Sequence, residues 1–241
     1  MAGTIDSGAD RQAGSERLRE LAVVVAARDE EQRIAATLAA LAEALPGAAL
    51  WVADDGSRDA TARVAAEAGA RVVSGRRLGK GGAMTAAVER VLAAHGAGVS
   101  TLVLCDGDLG ASAARLAPLV AAVREEGADI AVAVFAQRVG GGFGLALAIS
   151  RLLIRRLCGF RARAPLSGQR ALTGAAAREV LPFAAGFGME VGMTIDAVRA
   201  GRRVVELEVD LAHRASGRSI AGFAHRARQL LDVMRAAAAR R

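Results

Sequence analysis

The chain has 241 residues, 53% of them hydrophobic, which suffices for one large α/β domain, and no apolar run approaches the roughly 20 residues a membrane span needs. A formal net charge of +7 favours anionic partners. One Trp, no Tyr and no basic stripe interleaved with aromatics argue against nucleic acid among them. The two cysteines, Cys105 and Cys158, make no disulfide framework and read as reduced thiols of a cytoplasmic protein.

Residues 1–18 are polar and small, lack the apolar core of a signal peptide, and read as a disordered tail. Residues 21–27 form an apolar run, the first expected strand. Residues 30–45 carry Ile34, Leu38, Leu41 and Leu45 at helical spacing and stop at Pro46-Gly47. Strands follow at 49–53, 70–74, 101–105 and 129–135, alternating with helices at 59–68, 81–95 and 112–126. Glycines 69, 96 and 127 close those helices. Gly140-Gly141-Gly142 is a flexible break. Beyond it the expected elements are a helix at 145–157, a short strand at 169–172, a helix at 189–199, a strand at 204–211 and a long helix at 220–239. Alternating strands and helices predict an α/β fold, a mostly parallel sheet with helices on both faces. No repeat or linker demands a second domain, so residues 19–241 are read as one.

Parallel strands put their carboxyl ends on one edge, where open α/β sheets bind ligands. Three clusters fall there: Ala27-Arg28-Asp29-Glu30-Glu31, Asp54-Asp55-Gly56-Ser57-Arg58-Asp59 and Asp106-Gly107-Asp108. Acidic residues at a helix start or in a turn have ordinary structural uses, and for the first cluster that reading and a ligand-binding one weigh equally. Adjacent aspartates directly after a strand exceed what a turn needs. Asp106 and Asp108 end the apolar run from Leu102; such a pair can hold a divalent cation, and the cation a diphosphate. Three acidic clusters on one edge should repel one another without a cation or a donor-rich ligand. Gly79-Lys80-Gly81-Gly82 opens a helix, its glycines letting a ligand approach and Lys80 adding positive charge, but the Gly-x4-Gly-Lys-Ser/Thr spacing of a nucleoside-triphosphate loop is absent.

Four segments, in this order, resemble family 2 glycosyltransferases: residues 23–34, residues 52–61, Gly79-Lys80-Gly81-Gly82-Ala83 and Asp106-Gly107-Asp108-Leu109. The resemblance implies a GT-A fold, with a nucleotide-sugar-binding half at 19–135 and an acceptor half at 136–241. By position, Ala27, Arg28 and Glu30 would line the base pocket and Asp55 would contact base or ribose. Lys80 would face base or diphosphate, and Asp106 and Asp108 would bind Mg²⁺ or Mn²⁺ at the sugar diphosphate of the donor.

Residues 182–192 and Ala212-His213-Arg214-Ala215 resemble the glucosyl-3-phosphoglycerate synthase type. That likeness implies that Glu190 lies near the transferred sugar and that His213 completes the metal shell. The acceptor region departs from this type: Phe143 and Leu145 stand where it has Arg and Thr, and Ala215 where it has Asn. Residues 140–144, the arginine-bearing helix at 145–157 and Ser167-Gly168-Gln169-Arg170 resemble polyprenyl-phosphate sugar transferases instead. So does Ser216-Gly217-Arg218-Ser219, as a loop that could fold over the diphosphate. Arg138, Arg151 and Arg170 are then candidates for an acceptor phosphate. The Leu/Ile stripe of 145–157 serves either as core or as a rest on lipid.

The expected function is transfer of a sugar from a nucleotide-diphosphate donor to a phosphorylated acceptor, foremost polyprenyl phosphate, with Asp108 and Glu190 at the reacting centre. The alternative is a small soluble hydroxyl acceptor, as in the phosphoglycerate type, which Glu190 would serve as base. Peripheral contact with the inner face of the membrane and a homodimer are further expectations. A sugar nucleotidyltransferase is disfavoured because residues 26–33 lack the glycines of its signature; a non-catalytic donor-binding protein is the remaining competitor.

Overall fold

The computed structural model describes residues 21–135, 144–211 and 220–241. The tail at 1–18, Arg138, the Gly140–Gly142 break, His213 and the 216–219 loop lie outside the described residues.

The first half alternates β1 (Leu21–Ala27), α1 (Ile34–Ala44), β2 (Ala49–Asp54), α2 (Thr61–Glu67), β3 (Arg71–Ser74), α3 (Gly79–His95), β4 (Thr101–Asp106), α4 (Ala117–Arg124) and β5 (Ile130–Phe135). The second adds α5 (Gly144–Cys158), β6 (Arg170–Thr173), α6 (Gly174–Glu179), α7 (Met189–Arg199), β7 (Val204–Val209) and α8 (Ile220–Ala238). The seven strands form one sheet in the order β3-β2-β1-β4-β6-β5-β7. All neighbours are parallel except β6, which runs against both β4 and β5. This is the mostly parallel α/β sheet that the alternation predicts.

Strand period sorts β1 between two cores. Leu21, Val23 and Val25 pack with Ile34, Leu38, Leu41, Leu116 and Leu119 on the α1/α4 face. Ala22 and Val24 pack with Met84, Val88, Val91, Met189 and Met193 on the α3/α7 face. A third cluster of Ile154, Val191, Ile195 and Val233 joins α5, α7 and α8.

The expected helix at 112–126 is two elements, a 3₁₀ turn over Gly110–Leu116 followed by α4. Pro118 fits the first turn of a helix, where its missing N–H is not needed, so the α-helix starts beside it. The helix expected from 59 starts at Thr61, because the Asp59 carboxylate accepts the Thr61 amide at 2.9 Å and its hydroxyl at 2.5 Å. The short helix α6 carries no distinct periodicity and was not expected; the hydroxyl of Thr173 caps it by accepting from Ala176 N–H at 3.1 Å.

Candidate active site

Register fixes the working edge. Ala27 pairs with Asp54 and Ala26 with Asp106, so the residues that follow β1, β2 and β4 emerge side by side. Strand order reverses between β1 and β4, the position where open sheets leave a crevice.

The first two acidic clusters are stitched to each other. Asp29 N–H donates to Ser57 Oγ at 3.0 Å, and Arg58 N–H donates to Asp29 Oδ1 at 2.7 Å. Glu30 N–H donates to Thr61 Oγ1, Glu31 N–H to Asp59 Oδ2, and Ala60 N–H to Glu31 Oε2. Backbone amides thus satisfy carboxylates that sequence reasoning expected to repel without a ligand. The two adjacent aspartates also divide their work. Asp54 Oδ1 accepts the amide and hydroxyl of Ser57, a turn-forming role. Asp55, buried, accepts the amide of Gly79 at 2.9 Å and stands 3.8 Å from Arg28 Nη1, joining β2 to the start of α3. Ala27 is buried and accepts the Asp55 amide through its carbonyl. Arg28 is half-exposed at the mouth.

Lys80 makes the centre. Its Nζ lies 2.6 Å from Asp106 Oδ1 and 2.9 Å from Glu190 Oε1, so one ammonium ties the end of β4 to the first turn of α7. Burial alone would push this amine down; the two carboxylates outweigh it and hold Lys80 well above its ordinary value, fully charged. Glu190 is only 3% exposed. The other oxygen of Asp106, Oδ2, accepts from Gln169 Nε2 at 2.7 Å. Gly168 closes over the pair: a Cβ there would sit 2.5 Å from Lys80 Nζ and 3.1 Å from Asp106 Oδ2. Behind Asp106, burial and the neighbouring carboxylate push the Cys105 thiol up, so it stays neutral and inert.

Three expectations change. Gly81 is small for packing rather than for ligand approach, since a Cβ would fall 1.9 Å from the Ala184 carbonyl oxygen. Arg170 is no surface ligand for an acceptor phosphate: it is 1% exposed, with Nε donating to Ser167 O at 2.9 Å and Nη1 to Thr194 Oγ1 at 3.0 Å. Burial draws its guanidinium down to about 10, against the field of Glu190 and Glu206. It faces the interior because β6 is a central strand flanked on both sides. Arg151 lies on the exposed face of α5, where Nη2 donates to the Arg163 carbonyl, and no contact links it to Lys80, Asp106 or Glu190. Gln169 and Gly168 are site residues that sequence reasoning missed. Their signal was adjacency to Arg170, the residue it chose instead.

Among the described residues no group of three or more His, Cys, Asp and Glu side chains could hold a metal. Asp106 and Asp108 supply hard carboxylate oxygens, the donor type Mg²⁺ and Mn²⁺ take, and both Asp106 oxygens already have protein partners. Asp108 makes no hydrogen bond or ion pair with a described residue, whereas Asp106 is held by Lys80 and Gln169.

A reversed-order parallel half, a strand-end Asp-x-Asp turn and a second half that returns a buried glutamate to it define a GT-A nucleotide-sugar glycosyltransferase. The chain belongs to glycosyl transferase family 2, whose model matches residues 22–179. It is similar to glucosyl-3-phosphoglycerate synthase from Mycobacterium tuberculosis in several solved complexes. The complex with phosphoglyceric acid is 26% identical, with a TM-score of 0.70 over 99% of this chain and 87% of that one. The complex with Mn²⁺, uridine-diphosphate-glucose and phosphoglyceric acid is also 26% identical, at 0.70 over 98% and 86%. The complex with Mg²⁺ and uridine-diphosphate is 27% identical, at 0.72 over 99% and 85%. No curated protein sequence matches the chain.

Proposed function

We propose that this enzyme transfers a hexosyl group from a uridine-diphosphate sugar to a hydroxyl of a small soluble acceptor, with Mg²⁺ or Mn²⁺ at the donor diphosphate. The observation that carries the reading is Lys80 bridging Asp106 of the donor half and Glu190 of the acceptor half. The likeness to synthase complexes holding uridine-diphosphate-glucose, Mn²⁺ and phosphoglyceric acid supports it.

The site's own residues divide the task. Asp108 would hold the cation, which when bound neutralises the diphosphate and stabilises it as leaving group. Asp106, fixed by Lys80 and Gln169, offers a rigid acceptor of hydrogen bonds beside it. Glu190 would face the transferred sugar, its carboxylate oriented by Lys80. Arg28 and Glu30 would line the pocket for the base. His213 is proposed as a further ligand of the cation, and Arg138 as an acceptor contact.

A second reading, transfer to a polyprenyl phosphate, draws on one observation. Leu145 and Leu152 are 68% and 49% exposed on α5 beside exposed Arg151, Arg155 and Arg156, and α5 has no acidic residue. Such a face suits an anionic lipid surface. No helix among the described residues is long and apolar enough to cross a membrane. The deciding experiment supplies uridine-diphosphate-glucose and Mn²⁺ with either phosphoglyceric acid and related soluble hydroxyl acids or polyprenyl phosphate in vesicles, and weighs the products by mass spectrometry. Glucosylation of a soluble hydroxyl supports the first reading. Product on the lipid alone overturns it.

A further inference from the structure

The Asp108 turn is held by a residue outside every motif. Thr37 is the fourth residue of α1 and is fully buried. A threonine within a helix can return its hydroxyl to the carbonyl four residues back. Here that carbonyl, on Arg33, takes only the Thr37 amide. The hydroxyl reaches across to β4's exit instead, donating to the Gly107 carbonyl at 2.8 Å and accepting from the Gly110 amide at 2.8 Å.

Gly107 and Gly110 are the first and last residues of the four-residue turn whose second member is Asp108. The Thr37 hydroxyl thus stands between the carbonyl and amide that a simple turn would join directly. The other anchors are independent. Gly107 N–H donates to the Ala26 carbonyl at 2.8 Å, and Leu109 is buried in the α1/α4 core. A Cβ at Gly107 would fall 3.1 Å from that same carbonyl oxygen and 3.3 Å from Ile34 Cδ1, so this end of the turn packs closely against β1 and α1. Gly110 has φ +54°, a conformation that glycine adopts without steric cost. Asp108 is left as the one side chain of the turn that no described residue anchors.

We infer that Thr37 is a positioning residue for the Asp108 carboxylate. By fixing both ends of the turn from α1, it sets the direction in which Asp108 presents its oxygens to a cation. The inference rests on the proposed cation-held donor.

The test compares Thr37→Val, which keeps shape and loses both hydrogen bonds, with Thr37→Ser, which keeps the hydroxyl. Calorimetry measures uridine-diphosphate binding with Mn²⁺ and with chelator, and amide exchange is followed at residues 106–111. Thr37→Val should weaken the Mn²⁺-supported binding about 10- to 100-fold, the range for removing a group that orients a metal ligand, and should speed exchange at Gly110. Binding under chelator should stay at the wild-type level, and Thr37→Ser should retain wild-type behaviour in both readouts. Wild-type Mn²⁺ dependence in Thr37→Val overturns the inference, as does an equal loss in Thr37→Ser. If the wild-type chain binds equally with and without Mn²⁺, the cation-held donor fails as a reading. Gly110 exchange then decides alone, and an unchanged rate in Thr37→Val overturns the positioning role.

Discussion

Replacing Lys80 by Met removes the ammonium that two carboxylates share. At 2.6 and 2.9 Å each contact amounts to about 6 kcal/mol of attraction at an effective dielectric near 20, most of it offset by desolvation of the ions. The variant loses the attraction while Glu190 stays buried. Removing one member of a buried pair costs roughly 3–5 kcal/mol. For a chain of this length that corresponds to about 6–20 °C in Tm. Urea unfolding followed by circular dichroism measures the loss. The paired variant Lys80→Met/Glu190→Gln should be more stable than Lys80→Met alone, because it removes one of the two carboxylates that lost the shared ammonium. A single-variant loss below about 1 kcal/mol, the level of an exposed pair, refutes the reasoning. So does a double variant less stable than the single one.

Asp108→Ala should abolish transfer and cation-dependent donor binding, checked by product formation and calorimetry; full activity in that variant under chelator would refute the metal role. Gly81→Ala drives a methyl into the Ala184 carbonyl oxygen, which is backbone and cannot yield cheaply, so stability should drop by about 1–3 kcal/mol in urea titrations. The alkaline limb of stability has a definite sign. Burial keeps Cys105 protonated in the folded chain, so unfolding releases its proton above the ordinary value of 9.0, and stability falls by about 1.4 kcal/mol per pH unit from there. Lys80 is also raised; its contribution is complete below 10.5 and is lost as pH rises toward its folded value, steepening the fall. Cys105→Ser should weaken the first part of that slope and spare the second, and the absence of Tyr keeps phenols out of the titration.

Legibility in the sequence followed the range of the signal. Periodicity is local, so β1 to β5 and the long helices could be read to within a few residues. The Asp106-Gly107-Asp108 turn announced itself because an apolar strand ended in charge. Asp54 and Asp55, adjacent in sequence, looked alike; only the strand's exit geometry assigns one to a turn and the other to α3. Gly81 read as a ligand-facing glycine because the Ala184 carbonyl that excludes a side chain comes from a distant segment. Arg170 read as an anion ligand because an arginine pattern does not reveal that its strand is central and antiparallel.

The sequence by itself determined the alternation of elements and the acidic edge, since hydrophobic period and strand-ending charges are written residue by residue. Only the tertiary structure decided which side chains meet there. Lys80 stands between Asp106 and Glu190, Gln169 holds Asp106, and Thr37 clamps the turn from another helix. Those contacts join segments far apart in the chain, and their distances follow from how helices pack on the sheet rather than from any local pattern.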